Sequence, residues 1–282
     1  MSAPKIAMLG LGSMNGAILA GLLSGGHPVE QVVATTRSAS SAQAKAEQYG
    51  ITVLAEESAE DANLQAVRGA DVVVLGVKPH QIVDVCAQIK DALAPRAVVT
   101  SVAAAVTVKM MESALNPDQP VIRTMPNTPL SVGLGVVGLA AGTSTTPAQV
   151  QQVSELFAAS GSVHVLPESQ IDALTGVAGS GPAYAFYLAE HMAAAGVEMG
   201  LDPELAADLA AQTLYGAGRM LVQNRGSADA AQLRRNVTSP NGTTQRAIET
   251  FDDAGMAATI RAGAQASARR AAEITEQLSS RG

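Results

Sequence analysis

The sequence feature that most constrains the fold is a regular alternation of short apolar runs with segments of helical spacing. The run Ile6 to Leu9 is followed by the turn GLGSMNG, after which apolar residues recur at helical intervals. Continuous apolar runs separated by helices are typical of parallel strands covered on both faces of one sheet. Further runs of strand length occur at 31–40, 52–54, 70–79, 97–106 and 120–126, and helical spacing occurs at 41–49, 80–93 and 107–115. The first half of the chain is therefore predicted to be an α/β domain with a doubly wound, mostly parallel sheet.

A second domain is indicated where the strand signals stop. A further strand is predicted within 132–142, a helix over about 146–160 and a strand over 162–166. From Glu168 onward only helical spacing continues. We therefore predict one domain over residues 1–165 and an all-helical domain over residues 166–282.

The predicted helices of the second domain have clear start signals and broad apolar surfaces. Pro182 opens one helix, and Asp202 followed by Pro203 opens another as an N-cap with proline at the first helical position. These Ala-rich helices are apolar on more than one face, although no sheet remains to cover them. We expect burial against a second copy of the chain, which makes a homodimer.

Composition and charge exclude several classes of protein. A formal net charge of −7 and a pI near 5.1, with no cluster of Lys and Arg, argue against nucleic-acid binding. The one cysteine, Cys86, lies in an apolar run and is interpreted as a buried structural thiol. No Cys or His pair has metal-ligand spacing, so no metal is expected. The N-terminus lacks a leader pattern and no apolar run reaches about eighteen residues, so we expect a cytoplasmic protein without a membrane span.

The glycine-rich turn predicts a dinucleotide site. Gly10 allows a tight reversal, Gly12 lets the backbone approach a pyrophosphate, and the start of the next helix presents free amides to the anion. The third glycine of this motif is replaced by Asn15, with a glycine displaced to Gly16. Taken alone, the turn leaves an ordinary strand-to-helix connection open as the alternative.

The end of the second predicted strand bears on the choice of cofactor. NAD-binding folds place an acidic residue there, on the ribose hydroxyl. This chain has Thr36, Arg37 and Ser38 at that point, and an Arg with flanking hydroxyls binds a 2′-phosphate by charge-assisted hydrogen bonds. NADPH is therefore favoured and NADH is the second choice; an exposed Arg in a turn is the alternative interpretation.

Six motifs in one order resemble those of the pyrroline-5-carboxylate reductases of proline synthesis, across essentially the whole chain. They are IAMLGLGSMNGAIL, ADVVVLGVKP, SVAAAV, RTMPNTP, GSGPAY and SPNGTT. The resemblance implies a Rossmann domain joined to an all-helical dimerisation domain, and reduction of Δ1-pyrroline-5-carboxylate to L-proline with NAD(P)H. It also implies a homodimer, assembled into larger rings such as a decamer of dimers.

The resemblance also implies which residues contact the dinucleotide, and these follow the predicted strands, where ligands of such sheets bind. The pyrophosphate is assigned to Gly10, Gly12, Ser13, Met14 and Asn15; the adenosine end to Thr36, Arg37 and Ser38, with Asn63 near the adenine ribose; the length of the dinucleotide to Val77, Lys78, Pro79, Ala103 and Ala104; and the nicotinamide end to Met125, Pro126 and Asn127.

The segment SPNGTT is expected to bind the substrate, which is a cyclic imine with one carboxylate. The Ser239 hydroxyl, the amides of Gly242, Thr243 and Thr244, and the dipole of the helix that follows suit an anion. The hydroxyl of Thr244 is assigned to the ring nitrogen, as the matching family threonine is. The loop departs from the family at Asn241, where glycine is usual, and Asn tolerates left-handed backbone geometry better than other residues. The two loops, one for the dinucleotide and one for the ring, are expected to face each other.

Two rival functions are weighed against this one. A β-hydroxyacid dehydrogenase of the same architecture would need a catalytic lysine in the helical domain, and no lysine follows Lys109. A regulatory relative without catalytic activity would be expected to lose the substrate loop, which is kept here apart from Asn241. Glu168 and Asp172, one helical turn apart, are interpreted as a solvated first turn and not as an acid pair.

Overall fold

The computed structural model describes residues 3–280 of the 282-residue chain and divides into two compact units. The first contains the described residues up to Gly179 together with those from Ser267 onward, and the second is Ser180–Ala266. The first unit extends beyond residue 165, where the sequence pattern changes, because side chains within and just after a central strand bond to the segment that follows the last strand. Asn127 donates to the carbonyl oxygen of Ala178, and Arg123 contacts the carboxylates of Glu168 and Asp172.

The first unit is built on one sheet of eight strands in the order β3-β2-β1-β4-β5-β6-β7-β8. Strands β1 to β6 run parallel, β7 is antiparallel to β6, and β8 is parallel to β7. This arrangement confirms the predicted mostly parallel, doubly wound sheet. The strands are β1 Ile6–Leu9, β2 Val32–Thr36, β3 Thr52–Ala55, β4 Val72–Leu75, β5 Val98–Ser101, β6 Val121–Pro126, β7 Gly135–Ala141 and β8 Gly161–Val165.

Seven α-helices connect and follow these strands, and a π-helical turn, Thr175–Gly179, ends the first part of the unit. The short helix α3 was not predicted from the sequence. The helices are α1 Ser13–Ser24, α2 Ala39–Tyr49, α3 Ala62–Val67, α4 Ile82–Ile89, α5 Val108–Ala114, α6 Pro147–Ala158 and α7 Ile171–Leu174.

Two hydrophobic cores lie on opposite faces of the sheet, because successive side chains of a strand point to opposite sides. In β1, Ile6 and Met8 belong to one cluster, whereas Ala7 and Leu9 belong to the other. The second cluster includes Cys86, and its thiol has no exposed surface. Burial raises the pKa of this thiol to about 12, which agrees with the predicted structural cysteine.

The second unit carries the long helices and has almost no core of large side chains. Its buried residues are Gly196, Ala206 and Ala210, and a Cβ on Gly196 would lie 3.1 Å from the Cβ of Ala206. Large apolar side chains stay exposed, including Phe186 at 68% and Tyr187 at 65%. None of the helices within residues 3–280 is long and apolar enough to cross a membrane. The helices are α8 Gly181–Glu198, α9 Pro203–Gln223, α10 Ala230–Asn236, α11 Thr243–Asp253 and α12 Met256–Ser279, of which α12 continues into the first unit.

Candidate dinucleotide site and substrate loop

The glycine turn between β1 and α1 has the backbone geometry that a dinucleotide site needs. Gly10 has φ of +77°, and a Cβ there would lie 2.8 Å from Cγ1 of Val77, so only glycine fits without strain. The N-cap of helix α1 is Gly12, and no side chain accepts a hydrogen bond from the first amides of this helix as a cap. A Cβ at Gly12 would meet no atom within 4 Å, so the space beside the helix start is open. The first amides of α1 lack intrahelical partners and face a position suited to an anion.

Asn15 occupies the third position of the glycine motif and is buried, with 1% of its surface exposed. Its Nδ2 donates to the carbonyl oxygens of Leu9 at 3.4 Å, Gly10 at 3.2 Å and Val74 at 3.5 Å. The room for this side chain comes from Gly76, because a Cβ there would lie 2.3 Å from Nδ2 of Asn15. The departure from the motif is therefore accommodated by a second glycine.

The adenosine end is formed where β2 passes into α2. Ser38 is the N-cap of α2, and its hydroxyl accepts from the amide of Ser41 at 3.3 Å. The amide of Ala39 donates to the carboxylate of Glu57. The sequence has no acid at the end of β2, but the structure brings one there from the segment after β3. This happens because the amide of Glu57 donates to the carbonyl oxygen of Arg37, which extends the pairing of β2 with β3.

One open crevice of about 620 Å³ joins the glycine turn to the carboxyl ends of β2, β4 and β5. Eleven of the predicted cofactor residues line it and are brought together there: Gly10, Gly12, Ser13, Met14, Thr36, Arg37, Val77, Lys78, Pro79, Ala103 and Ala104. The sequence did not assign the remaining lining residues, which are Leu11, Ser41, Glu56, Gly76, Gln81, Val85 and Val102.

Six assigned residues do not line the crevice, and three of these belong to the glycine turn and the adenosine end. Asn63 is 3% exposed, its Oδ1 accepts from Oγ1 of Thr35 at 2.8 Å, and its Nδ2 donates to Gln88. Oγ1 of Thr35 also accepts from the amide of Gly10, so Asn63 is linked to the glycine turn through Thr35. Asn15 is likewise buried under the turn. Ser38 lies at the start of α2 but outside the lining residues.

The segment after β6 is held by Asn127. Its Oδ1 accepts from the amide of Val136 at 2.8 Å and its Nδ2 donates to the carbonyl oxygen of Ala178 at 3.0 Å. Met125 and Pro126 belong to β6 itself, and a Cβ on Gly179 would lie 2.9 Å from Cε of Met125. These three residues do not line the crevice, so their assignment to the nicotinamide end stays a prediction.

Glu168 and Asp172 each lie in a first helical turn, as predicted, but they are 33% and 32% exposed and pair with a buried Arg, which corrects the interpretation of a merely solvated turn. Arg123 is 4% exposed, and its guanidinium lies 3.2 Å from Oε1 of Glu168 and 3.5 Å from Oδ1 of Asp172. The same Glu168 oxygen accepts from the amide of Val108 at 2.8 Å. The signal for this cluster was an Arg within an otherwise apolar strand, because a buried guanidinium needs carboxylate partners.

The substrate loop lies in the second unit and opens helix α11. Asn241 has φ of 58°, the left-handed conformation that Asn adopts more readily than most residues. The amide of Gly242 donates to the carbonyl oxygen of Ser239 at 3.0 Å, so this amide is used within the loop and is not free for an anion. The amides of Thr243 and Thr244 donate to no group within residues 3–280.

A glycine turn that opens onto a crevice at the carboxyl ends of parallel strands defines a dinucleotide-binding protein of the Rossmann class. Within that class, the chain belongs to the pyrroline-5-carboxylate reductase family of oxidoreductases, as its motifs predicted. It is 39% identical over 279 residues to a pyrroline-5-carboxylate reductase of Pseudomonas aeruginosa, covering 99% of both chains. It is also 39% identical to that of Mycobacterium tuberculosis, with 96% of each chain covered.

Family models and solved structures agree with this membership. Residues 168–274 match the model for pyrroline-5-carboxylate reductase dimerisation, and residues 5–105 match the model for NADP oxidoreductase, coenzyme F420-dependent. The structure of a pyrroline-5-carboxylate reductase from Coxiella burnetii is 34% identical with a TM-score of 0.89, covering 96% of this chain and 98% of that one. The Plasmodium falciparum pyrroline carboxylate reductase, solved with NADP bound, shares the fold at 24% identity with a TM-score of 0.83, covering 96% of this chain and 98% of that one.

Proposed function

We propose that this protein reduces Δ1-pyrroline-5-carboxylate to L-proline with NAD(P)H, the last step of proline biosynthesis. The observation that supports this most is the full-length similarity to pyrroline-5-carboxylate reductases at 39% identity, which includes both the sheet and the helical part. The open crevice and the loop SPNGTT supply a dinucleotide site and an anion site of the required chemistry. A cytoplasmic location is part of the proposal, since the reaction draws on the intracellular pool of reduced nicotinamide nucleotide.

The residues around the crevice fit a nicotinamide dinucleotide. The open space beside Gly12 and the free amides at the start of α1 suit a pyrophosphate, and the volume of about 620 Å³ is in the range of a cofactor pocket. When bound, the cofactor supplies the hydride. Arg37 lines the crevice and is exposed, so its guanidinium is available to a 2′-phosphate. We propose NADPH as the preferred cofactor on this ground, with NADH accepted, while Glu57 at the start of α2 opposes that preference.

The substrate carboxylate is proposed to bind at the start of α11. The free amides of Thr243 and Thr244 and the Ser239 hydroxyl donate to it, and the positive end of the helix dipole adds to the attraction. The hydroxyl of Thr244 holds the ring nitrogen. Gly242 contributes by its small size, because a Cβ there would lie 2.5 Å from Oγ of Ser239.

The chemical step needs little from ionisable side chains. A protonated ring nitrogen turns the imine into an iminium. The hydride pair then forms the new C–H bond and the C=N π pair becomes the lone pair of a neutral amine nitrogen, so no anion has to be stabilised. The protein's main contribution is then to hold the two reacting carbons at close distance and in line, which can supply several kcal/mol, about 7–11 in model reactions. Thr244 fixes the ring for this step, and no strong general acid is required.

A homodimer through the helical unit, with a decamer of dimers as its larger form, is proposed as the working assembly. The second unit exposes apolar side chains on most of its helices and buries almost none, which is typical of a surface that a partner covers. Those exposed at 50% or more in this unit are Phe186, Tyr187, Met199, Tyr215, Val222, Val237 and Ile260.

The activity is tested by following the absorbance of NADPH in the presence of pyrroline-5-carboxylate, and then with NADH. We expect oxidation of both cofactors that depends on the substrate. In Ser239→Ala, mainly the KM for the substrate should rise, while Thr244→Ala should also lower kcat.

The matched control is Thr250→Ala in the same helix, where the hydroxyl donates to the carbonyl oxygen of Arg246. Kinetics in this variant should equal those of the unaltered protein. If neither cofactor is oxidised above background, the proposed activity is wrong and a regulatory role takes its place. If all three variants have unaltered kinetics, the loop is not the substrate site.

A further inference from the structure

The third position of the glycine motif carries a large polar side chain where a glycine normally allows helix and strand to pack closely. Asn15 is 1% exposed, and its Nδ2 donates to the carbonyl oxygens of Leu9, Gly10 and Val74. These three acceptors belong to the end of β1, the glycine turn and β4. One carboxamide therefore ties the turn to two neighbouring strands.

A glycine is required at position 76 by the space that the Asn15 side chain occupies, and not by the backbone conformation of residue 76. It follows β4 directly, its amide donates to the carbonyl oxygen of Leu9, and its φ lies outside the left-handed region, so other residues could adopt its conformation. A Cβ at this position would lie 2.3 Å from Nδ2, 2.5 Å from Cγ and 2.8 Å from Oδ1 of Asn15. All three distances are shorter than nonbonded atoms tolerate, and the buried carboxamide cannot shift without losing the hydrogen bonds of its nitrogen.

The carboxamide has one orientation. Its three neighbours are carbonyl oxygens, which accept only from the nitrogen, and Oδ1 is buried without a donor among residues 3–280. A buried acceptor without a donor is unfavourable for stability, so an Asn at this position is more easily explained by what it does for the site.

We propose that Asn15 and Gly76 form one unit that positions the glycine turn for the cofactor. Asn15 is a positioning residue: its Nδ2 fixes the Gly10 carbonyl, and with it the amides that face the pyrophosphate. Gly76 lines the crevice and supplies the space that the carboxamide fills. Because a Cβ at residue 76 and the carboxamide of Asn15 would occupy the same space, the two positions are expected to exchange only together. This inference rests on the proposed cofactor site.

A double-mutant cycle tests the proposal, with Asn15→Gly, Gly76→Ala and the combined variant compared with the unaltered protein. The dissociation constant of NADPH is measured by the fluorescence of the bound cofactor, and the thermal unfolding midpoint is measured on the same samples. We expect Gly76→Ala to weaken NADPH binding by about tenfold or more, since the methyl group displaces Asn15 from the turn. Asn15→Gly should weaken NADPH binding about threefold to tenfold and lower the unfolding midpoint only slightly, because the carbonyl oxygens of Leu9 and Gly10 still accept from the amides of Gly76 and Gly12.

The combined variant should bind NADPH more tightly than Gly76→Ala alone, and it serves as the matched control for the added methyl group. It remains informative if Gly76→Ala does not fold, because its cavity at residue 15 accepts the methyl. Effects of the two substitutions that simply add would overturn the proposal, as would NADPH binding to Gly76→Ala at unaltered strength. Since the readout is binding, a protein that binds NADPH but does not reduce pyrroline-5-carboxylate refutes the proposed reaction and leaves this inference standing.

Discussion

Glu57 is predicted to limit the preference for NADPH, and Glu57→Gln should raise the ratio of kcat/KM with NADPH to kcat/KM with NADH. The carboxylate of Glu57 accepts from the amide of Ala39 at the start of α2, beside Arg37. A 2′-phosphate bound by Arg37 would compete for this amide. Either the Glu57 carboxylate gives up its hydrogen bond to the Ala39 amide, or the phosphate binds without a hydrogen bond from that amide.

Two contributions set the size of the effect. A carboxylate at a helix N-terminus contributes about 0.5–1 kcal/mol when exposed, as Glu57 is. Repulsion between a carboxylate and a phosphate of charge about −1.5 to −2 is worth about 1 kcal/mol at roughly 6 Å in a water-like dielectric. Their sum of about 1.5–2 kcal/mol corresponds to a change of roughly tenfold to thirtyfold in binding. NADH lacks the phosphate and leaves Glu57 on its amide, so its kinetics should hardly change.

The assay measures kcat/KM for both cofactors at low and at moderate salt. Glu60→Gln is the matched control, because Glu60 is exposed in the same segment, carries the same charge and has no hydrogen-bond or ion-pair partner within residues 3–280. The increase for Glu57→Gln should shrink as salt screens the repulsion. An unchanged cofactor ratio, or an equal change in the Glu60→Gln variant, would refute this reasoning.

Three further predictions concern stability and assembly. Glu168→Gln should destabilise the first unit by about 1–2 kcal/mol in urea unfolding, since it leaves the buried guanidinium of Arg123 with a weaker partner; an unaltered midpoint would contradict this. Cys86 should resist alkylation at pH 8 in the native protein and react after unfolding, and stability should fall from about pH 9 to pH 12, because only the unfolded thiol ionises in that window; rapid native labelling would contradict the burial. Phe186→Ser should shift the sedimentation coefficient toward the monomer, whereas the equally exposed Val132→Ser should not; equal behaviour would remove the helical surface as the interface.

The sheet was predictable from sequence because its signal is local. Strands β1 and β4 are continuous apolar runs, the other parallel strands are largely apolar, and the turn residues between the runs mark where the chain changes direction. The direction of β7 was not predictable, since a buried strand has the same pattern whether it runs parallel or antiparallel. Helix α3 was missed because it has only six residues, Ala62–Val67, which is too short for its helical period to stand out.

The site was predictable where it acts through the backbone. Gly10 has a positive φ and Gly12 leaves the start of α1 open. Both features depend on glycine, and glycines are visible in the sequence itself. The carboxylate of Glu57 beside α2 was missed because it lies eighteen residues from its hydrogen-bond partner, Ala39, and only the pairing of β2 with β3 brings the two together. The cluster around Arg123 was missed for the same reason, since its partners lie 45 and 49 residues further along the chain.

Asn15 and Asn241 depart from the family's motifs, and a comparison of motifs alone would count both against membership of the family. The structure accommodates both side chains with little strain at the backbone. Asn241 stands where the family usually has a glycine, and its φ of 58° is a conformation that Asn adopts with little strain. The backbone amide of Asn241 donates to Oε1 of Gln245 at 2.7 Å. Asn15 replaces a glycine whose role was close packing, and the lost space reappears at Gly76. In the first case the backbone has a conformation that glycine also adopts, and in the second the absence of a Cβ at Gly76 leaves room for the Asn15 side chain. Neither departure therefore argues against the proposed ligands, because each side chain is accommodated by the φ angle or by the space around it.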